Sequence, residues 1–506
     1  MMKNQLLKAS IGVTIVMVIG NLLSFVKEAS IANFFGISAD VDAYTIAIQI
    51  PVLIFSFISV AIQSVVIPIY SDIWYNKTKK EASAYLNNLI TLLLIITSIL
   101  AVIGIVFSGP IVYLFAPGFA PDTHALSASL LRITFPSIIF SVVCQVLVAV
   151  LNVHKQFVAN SFAIYFTNVT IILCVIFLYK KLGIAAACIG QLLGDGFRCT
   201  YVILLAGRFY KYRIGYNFKD QEVLKTLKSS LPVIWGISVA EVNAIVNRIV
   251  GSFLFAGSIS AISYANKVNT IFLQLSVAAI ATIVYPLYAE STAKNDLEQL
   301  NNRVNQTISA YSFLLIPISF GMIVFRKEVV EIVFGRGAFD QDAILLTQSL
   351  LGIYAVAMLF MGFRSTLTNV FYSMKDTKTP AINASIGAIL NVILNLTLPF
   401  CFGVQGLAMA SSITAIFITV SLIRLLSKKY DVLNLSFLFT NIKPLVLSGL
   451  IMFVVILLYH YFAVKMGLGS FWVLLLGTLL GIIVYFVCVY IFKVPIAIKM
   501  MNMIKK

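Results

Sequence analysis

Lys27 and Glu28 stand side by side within NLLSFVKEASIANFF, residues 21–35, an otherwise apolar stretch. A lipid-facing anchor excludes charge at such a place, whereas a helix bordering a water-filled path needs it. Five more cations lie inside long apolar runs: Arg132, Arg198, Arg248, Lys267 and Arg364. Each costs roughly 2.5–3.5 kcal/mol at mid-bilayer on insertion scales. One account is that they snorkel to an interface or pair with an intramembrane acid such as Glu28, Asp195 or Glu241. That account suits Arg132 and Arg198 best. Snorkelling is hard for Lys27, which is about nineteen residues, or roughly 29 Å, into its helix at 1.5 Å per residue. A water-filled, cation-lined cavity is the better account of Lys27 and Lys267.

A second constellation combines Glu241 with Asn391, Asn395 and Ser411. Rise per residue puts Glu241 at roughly 21 Å from the cytoplasmic end of its helix, and Asn391 and Asn395 at roughly 17 and 23 Å. A carboxylate with amide and hydroxyl oxygens at one depth is a donor set for a monovalent cation, Na+ or H+. The alternative is a Glu241–Arg248 pair, with the asparagines bonding between helices. Covalent chemistry has no candidate. The six cysteines (Cys144, Cys174, Cys188, Cys199, Cys401 and Cys488) fall in or beside apolar runs without metal-ligand spacing. His124, His154 and His460 are expected in loops, and no cofactor or metal is expected.

The elements that must position these residues are membrane spans. The chain has 506 residues, 60% of them hydrophobic and 11% charged, with a mean hydropathy of +1.00. That composition excludes a soluble enzyme with an anchor. The net charge of +17 does not mark a nucleic-acid binder, because the basic residues lie in short loops and form no basic domain. Apolar runs predict fourteen spans, near 8–36, 41–71, 84–107, 126–151, 157–179, 183–206, 227–255, 259–289, 305–325, 344–372, 380–400, 404–423, 444–463 and 469–492. The first is read as a retained span, since no small-residue cleavage site follows it. With the N-terminus cytoplasmic, 24 of the 36 basic residues fall on the inner side, six outside and six within spans. Both termini are therefore expected in the cytoplasm.

The opening stretch recurs. LKASIGV at 7–13 matches LKSSLPV at 227–233, and IPIYSD at 67–72 matches YPLYAE at 285–290. Ala47 and Gln49 then correspond to Ala265 and Lys267. An even number of spans per repeat gives both halves one orientation, with a pseudo-two-fold axis along the membrane normal. The expected organisation is an all-α protein: an N-lobe at 1–206, a cytoplasmic linker at 207–226 and a C-lobe at 227–423. Two extra spans and a basic tail follow at 424–506.

Ser24-Phe25-Val26-Lys27-Glu28, Ile31-Ala32-Asn33-Phe34-Phe35-Gly36 and Asp42-Ala43-Tyr44 resemble the first-helix signature of the MurJ (MviN) lipid II flippases. That family belongs to the multidrug/oligosaccharidyl-lipid/polysaccharide exporter superfamily. Ala116-Pro117-Gly118-Phe119, Gly335-Arg336-Gly337-Ala338-Phe339 and the run from Phe371 to Pro380 extend the resemblance along the chain. It implies export of an undecaprenyl-pyrophosphate-linked saccharide across the bacterial cytoplasmic membrane. The head group would enter a cationic cavity while the polyprenyl tail stays in lipid. The family's cations fall on Lys27 and Lys267, as lysine in place of arginine, which keeps a point charge and loses the bidentate fork. Its aspartate falls on Asp42. Two further arginines fall on Asn21 and Phe55, and a glutamate on Thr270. The substrate-binding set is thus Asn21, Lys27, Glu28, Asp42, Arg248, Lys267 and Arg364. A monomer is expected, with the cell-wall synthesis machinery as its candidate associate.

Other classes stay open. One is a flippase for a different undecaprenyl-linked glycan, of polysaccharide or teichoic type, and another is a cation-coupled drug exporter. A membrane glycosyltransferase would need a catalytic carboxylate and large outer loops. The outer acids here, Asp122, Glu328, Glu331, Asp340 and Asp342, read more simply as solvated faces.

Overall fold

The computed structural model describes residues 2–215, 217, 220–430, 432–433 and 435–494. Lys219 and the basic tail beyond residue 494 lie outside the described residues. The chain forms two compact units, Met1–Ser260 and Ala261–Lys506, and the regular structure described in both is helical.

The first unit opens with α1 (Met2–Phe35), which ends at Gly36 in the left-handed region, φ 61°. Glycine reaches that conformation without a Cβ clash. Ser38 then caps α2 (Ala39–Ala61), accepting from the Val41 amide, with Asp40 and Asp42 in the first turn where the helix dipole favours anions. Pro51 lies inside α2, and a π-helical turn at Ile62–Val66 precedes α3 (Ile67–Asn76). A Thr78–Glu81 capping box starts α4 (Lys79–Val106).

The expected outer loop at 108–125 contains a further helix, α5 (Ser108–Phe115). The single span expected at 126–151 is two helices, α6 (Pro121–Thr134) and α7 (Ser137–Val153), bent by 40°. Pro136 stands at the break, where its missing N–H and its ring interrupt the ladder. Then follow α8 (Phe157–Ser161), α9 (Ala163–Leu182), α10 (Ala185–Ala206) and α11 (Gln221–Ser252). The core of this unit is formed by α3, α4, α7 and α10 around Tyr70, Tyr85, Leu86, Leu147 and Val202. Helix α11, expected as the first span of the second half, packs within this unit on α2, the π-turn, α4 and α5. Its start is tied to α4 by Tyr85–Thr226 (2.9 Å) and Asn88–Asp220 (2.5 Å).

Helix α12 (Ser258–Ala293) begins at the boundary and runs into the second unit. There follow α13 (Leu297–Val324), α14 (Arg326–Phe334), α15 (Gln341–Ser373), α16 (Lys378–Phe402), α17 (Val404–Tyr430), α18 (Leu435–Lys465) and α19 (Ser470–Ile491). Helix α15 packs on α13 and α17, α16 lies on α17, and the two last helices pack on each other and on α13. Two readings of the outer loops are corrected here. Glu328 is not a solvated acid: it is 2% exposed and lies 2.8 Å from His460 Nε2, while Ser470 donates to Glu331 at 2.8 Å. His460 lies inside α18 and His124 inside α6, and neither is in a loop.

The internal repeat is written in the backbone. Left-handed residues recur as Gly36 and Gly257, Lys155 and Lys375, and Gly183 and Gly403, at an offset of 221, 220 and 220 residues. Among the described residues ten helices are long and apolar enough to cross a membrane, or eleven with α6 and α7 as one bent span. The other three expected spans coincide with α10, α11 and α12, helices of 22, 32 and 36 residues. The count of fourteen is not reached on length and apolarity alone.

Candidate functional site

In α1, Lys27 Nζ lies 2.9 Å from Glu28 Oε1, with the two side chains 17% and 22% exposed. The pair is neutral as it stands, so an incoming anion must compete with Glu28 for the ammonium. Asn21 is half-buried on the same helix.

Asp42 is held by backbone. It is 2% exposed, and its Oδ2 accepts from the Gly257 amide and its Oδ1 from the Ser260 amide, each at 2.7 Å. Gly257 has φ 94°, and a Cβ there would collide with the Ile37 side chain. The turn therefore needs glycine to bring both amides onto the carboxylate. Next to it, the Gly118 amide donates to Ser252 Oγ at 3.0 Å. Gly118 admits no side chain either, since a Cβ would lie 2.6 Å from the Ser252 carbonyl oxygen.

Glu241, in α11, accepts from Ser56 Oγ of α2 at 2.8 Å. Arg248, two turns further along α11, is half-buried, and its Nη1 is enclosed without a hydrogen-bond partner. In the second unit Lys267 is half-buried on α12 and Arg364 is exposed on α15. Asn391 and Asn395 are buried on α16. Asn395 donates to Asn391 at 2.8 Å and Asn391 to Thr414 of α17 at 3.3 Å. The Asn395 carbonyl oxygen is enclosed without a donor. Ser411 is half-buried on α17.

Within the first unit, then, Lys27 meets Glu28, and Glu241 meets Ser56 while Arg248 keeps an unpaired nitrogen. Within the second, Asn391 and Asn395 meet each other. Sequence reasoning missed the Ser56–Glu241 contact and the two amides on Asp42. The 220-residue offset, which aligns Gly36 with Gly257 to within one residue, is the signal that could have pointed to the second.

Ten or more helices long and apolar enough to cross a membrane, with polar side chains buried among them, define a multi-helix membrane protein. The fold agrees with a solved inward-facing multidrug MATE transporter at a TM-score of 0.67 and 15% identity, covering 83% of this chain and 99% of that one. The chain belongs to the lipid II flippase MurJ family, whose model matches residues 31–494, and it is a multi-pass membrane protein. A solved lipid II flippase MurJ in an inward closed conformation is similar at a TM-score of 0.83 and 28% identity, over 95% of this chain and 98% of that one. The lipid II flippase MurJ of Thermosipho africanus is 29% identical over 489 residues, covering 96% and 97% of the two chains. A Buchnera aphidicola relative is 27% identical over 502 residues, 96% of each.

Proposed function

We propose that this chain carries lipid II from the inner to the outer leaflet of the bacterial cytoplasmic membrane by alternating access, as a step of cell-wall biosynthesis. The observation that carries this reading is the family match over residues 31–494. It acts as a transporter and not as an enzyme: the lipid-linked saccharide crosses without a bond being made or broken. Both termini lie in the cytoplasm, as the basic residues demand. The protein works as a monomer beside the cell-wall synthesis machinery.

Lys27 and Lys267, from matching helices of the repeat, supply point charges to the substrate diphosphate, with Asn21, Glu28, Asp42, Arg248 and Arg364 as the surrounding polar set. A monovalent cation, Na+ or H+, couples transport. Glu241 is its acid, and Asn391, Asn395 and Ser411 are candidate oxygen donors. The test is replacement of a host's own lipid II flippase with this chain, scored for viability and precursor accumulation. Lys27→Ala and Lys267→Ala should abolish rescue while the protein still inserts, and Lys→Arg should retain it. Full rescue by the double alanine variant would refute the assignment of the lysines.

A further inference from the structure

The first unit buries a carboxylate at the middle of a helix. Asp195 is the eleventh of the 22 residues of α10, about 15 Å from either end at 1.5 Å per residue. It is 4% exposed. Its Oδ1 accepts from Thr167 Oγ1 of α9 at 3.0 Å, and its Oδ2 from Gln191 Nε2 at 2.8 Å. Both donors are neutral. Among the described residues no Lys, Arg or His nitrogen lies within 4.0 Å of it. Arg198 lies one turn further along α10. Its guanidinium is close enough to act on the carboxylate through space but forms no ion pair within 4.0 Å, and its Nε is buried without a hydrogen-bond partner.

The site is built by close helix contact. A Cβ at Gly194 would lie 2.7 Å from Thr167 Cα, and one at Gly190 would lie 2.7 Å from Ile171 Cα. This small-xxx-small spacing brings the α9 backbone against α10 and fixes Thr167 on the carboxylate.

An ionised carboxylate at this depth without a hydrogen-bonded counter-charge costs several kcal/mol. Two hydrogen bonds from neutral groups offset only part of that. A bound proton removes the charge, and Arg198 is the cation near enough to replace the proton when it leaves. We propose that Asp195 is a proton-binding site built by α9 and α10, at which a proton and the Arg198 guanidinium alternate as partner of the carboxylate. With the proton bound, Thr167 and Gln191 hold the carboxyl as seen here. When it leaves, the free Arg198 Nε–H turns to the carboxylate, so one proton is exchanged for one ion pair.

The other titratable groups on the packed elements are few. Helix α7 contributes Cys144, and α10 itself contributes Cys188, Arg198, Cys199 and Tyr201. Helix α9 has Tyr165, Cys174, Tyr179, Lys180 and Lys181. Asp122, His124 and Arg132 are on α6, and Arg132 donates to Ser108 at 2.9 Å. Helix α2 has Asp40, Asp42 and Tyr44. The inference deepens the transport reading by giving the coupling proton a site at Asp195 that is separate from the Glu241 cation site, which then takes Na+, and its first test does not depend on that reading.

In lipid nanodiscs a hydrophobic carbodiimide modifies protonated carboxyls, and mass spectrometry locates the adduct. The wild type should carry an adduct on Asp195 that falls about ten-fold per pH unit above the titration point. Arg198→Gln should move that fall to higher pH, because the replacing cation is gone. Infrared spectra should show the C=O band of a protonated carboxyl in the wild type and lose it in Asp195→Asn, which keeps the shape of the site. Absence of both the adduct and the band at every pH would overturn the proton site. In a vesicle assay with lipid II, Asp195→Asn should transport without dependence on a proton gradient, and unchanged dependence would overturn the coupling role. Failure of the wild type to move lipid II would overturn the transport reading and leave the labelling result standing.

Discussion

Asp42→Asn separates two roles for the aspartate that the family resemblance places in the substrate set. The carboxylate is 2% exposed and offers one oxygen to each of two amides, Gly257 and Ser260, both at 2.7 Å. Asparagine has the same shape and only one acceptor. Whichever way it turns, an NH2 group faces one of the two N–H groups, which loses its bond. A buried N–H left unsatisfied costs about 1–3 kcal/mol, and a hydrogen bond to a charged group contributes about 1.5–3 kcal/mol. The expected loss is about 2–3 kcal/mol, a fall of about thirty- to one-hundred-and-fifty-fold in the folded-to-unfolded ratio. For a unit of this size, at about 2–4 °C per kcal/mol, the melting temperature should drop by about 4–12 °C. Thermal melting of the purified protein in detergent measures it, with lipid II transport assayed in parallel. If Asp42→Asn melts with the wild type yet loses transport, the carboxylate acts on the substrate, and the structural reasoning fails.

Three further outcomes are expected. Asp376, between α15 and α16, accepts from Lys429 (2.7 Å), Thr379 Oγ1 (2.7 Å), the Thr379 amide (3.0 Å) and Tyr430 (2.8 Å). Partial desolvation pushes its carboxyl up, but the bonds from Lys429, Thr379 and Tyr430 outweigh it and hold it well below the usual carboxylate range. Its contribution to stability is therefore complete above the unfolded value of about 3.9 and is lost as pH falls through the native one. Acid titration of wild-type melting should show that loss, and Asp376→Asn should not. Gly194→Ala forces a methyl against the α9 backbone and should cost about 1–3 kcal/mol by thermal melting. His460→Ala leaves the buried Glu328 carboxylate without its donor and should cost about 2–3 kcal/mol, read as faster proteolysis between α18 and α19.

Much of the fold was legible because apolar run length and basic loops report directly on spans. The repeat was legible because its left-handed glycines are fixed by backbone geometry, so Gly36 and Gly257 both mark their corners. The α6–α7 break was not read, since Pro136 in an apolar run is equally consistent with a gentle kink in one span. Polar partners were harder still. Glu241 bonds Ser56 and Asp195 bonds Thr167 across 185 and 28 residues of sequence, and helix rise gives depth without the rotation that decides which neighbour a side chain meets. Glu328 read as solvated because a nine-residue helix hides inside what hydropathy marks as a loop.

The charges of the first unit bear on what kind of substrate suits it. Each intramembrane acid already has partners inside the unit: Glu28 has Lys27, Asp42 has two amides, Asp195 has Thr167 and Gln191, and Glu241 has Ser56. Among the described charged side chains of this unit the unsatisfied atoms are donors, Arg198 Nε and Arg248 Nη1, while the enclosed acceptors without a donor, Asn243 Oδ1 and Asn247 Oδ1 on α11, are neutral. A cationic drug would need spare acceptors and would find these carboxylates taken. A diphosphate would bring acceptors with several negative charges, which would compete with the single carboxylate of Glu28 for the Lys27 ammonium. Among the charged side chains of this unit the unsatisfied atoms are thus guanidinium nitrogens and not carboxylate oxygens, a balance that favours an anionic ligand over a cationic one.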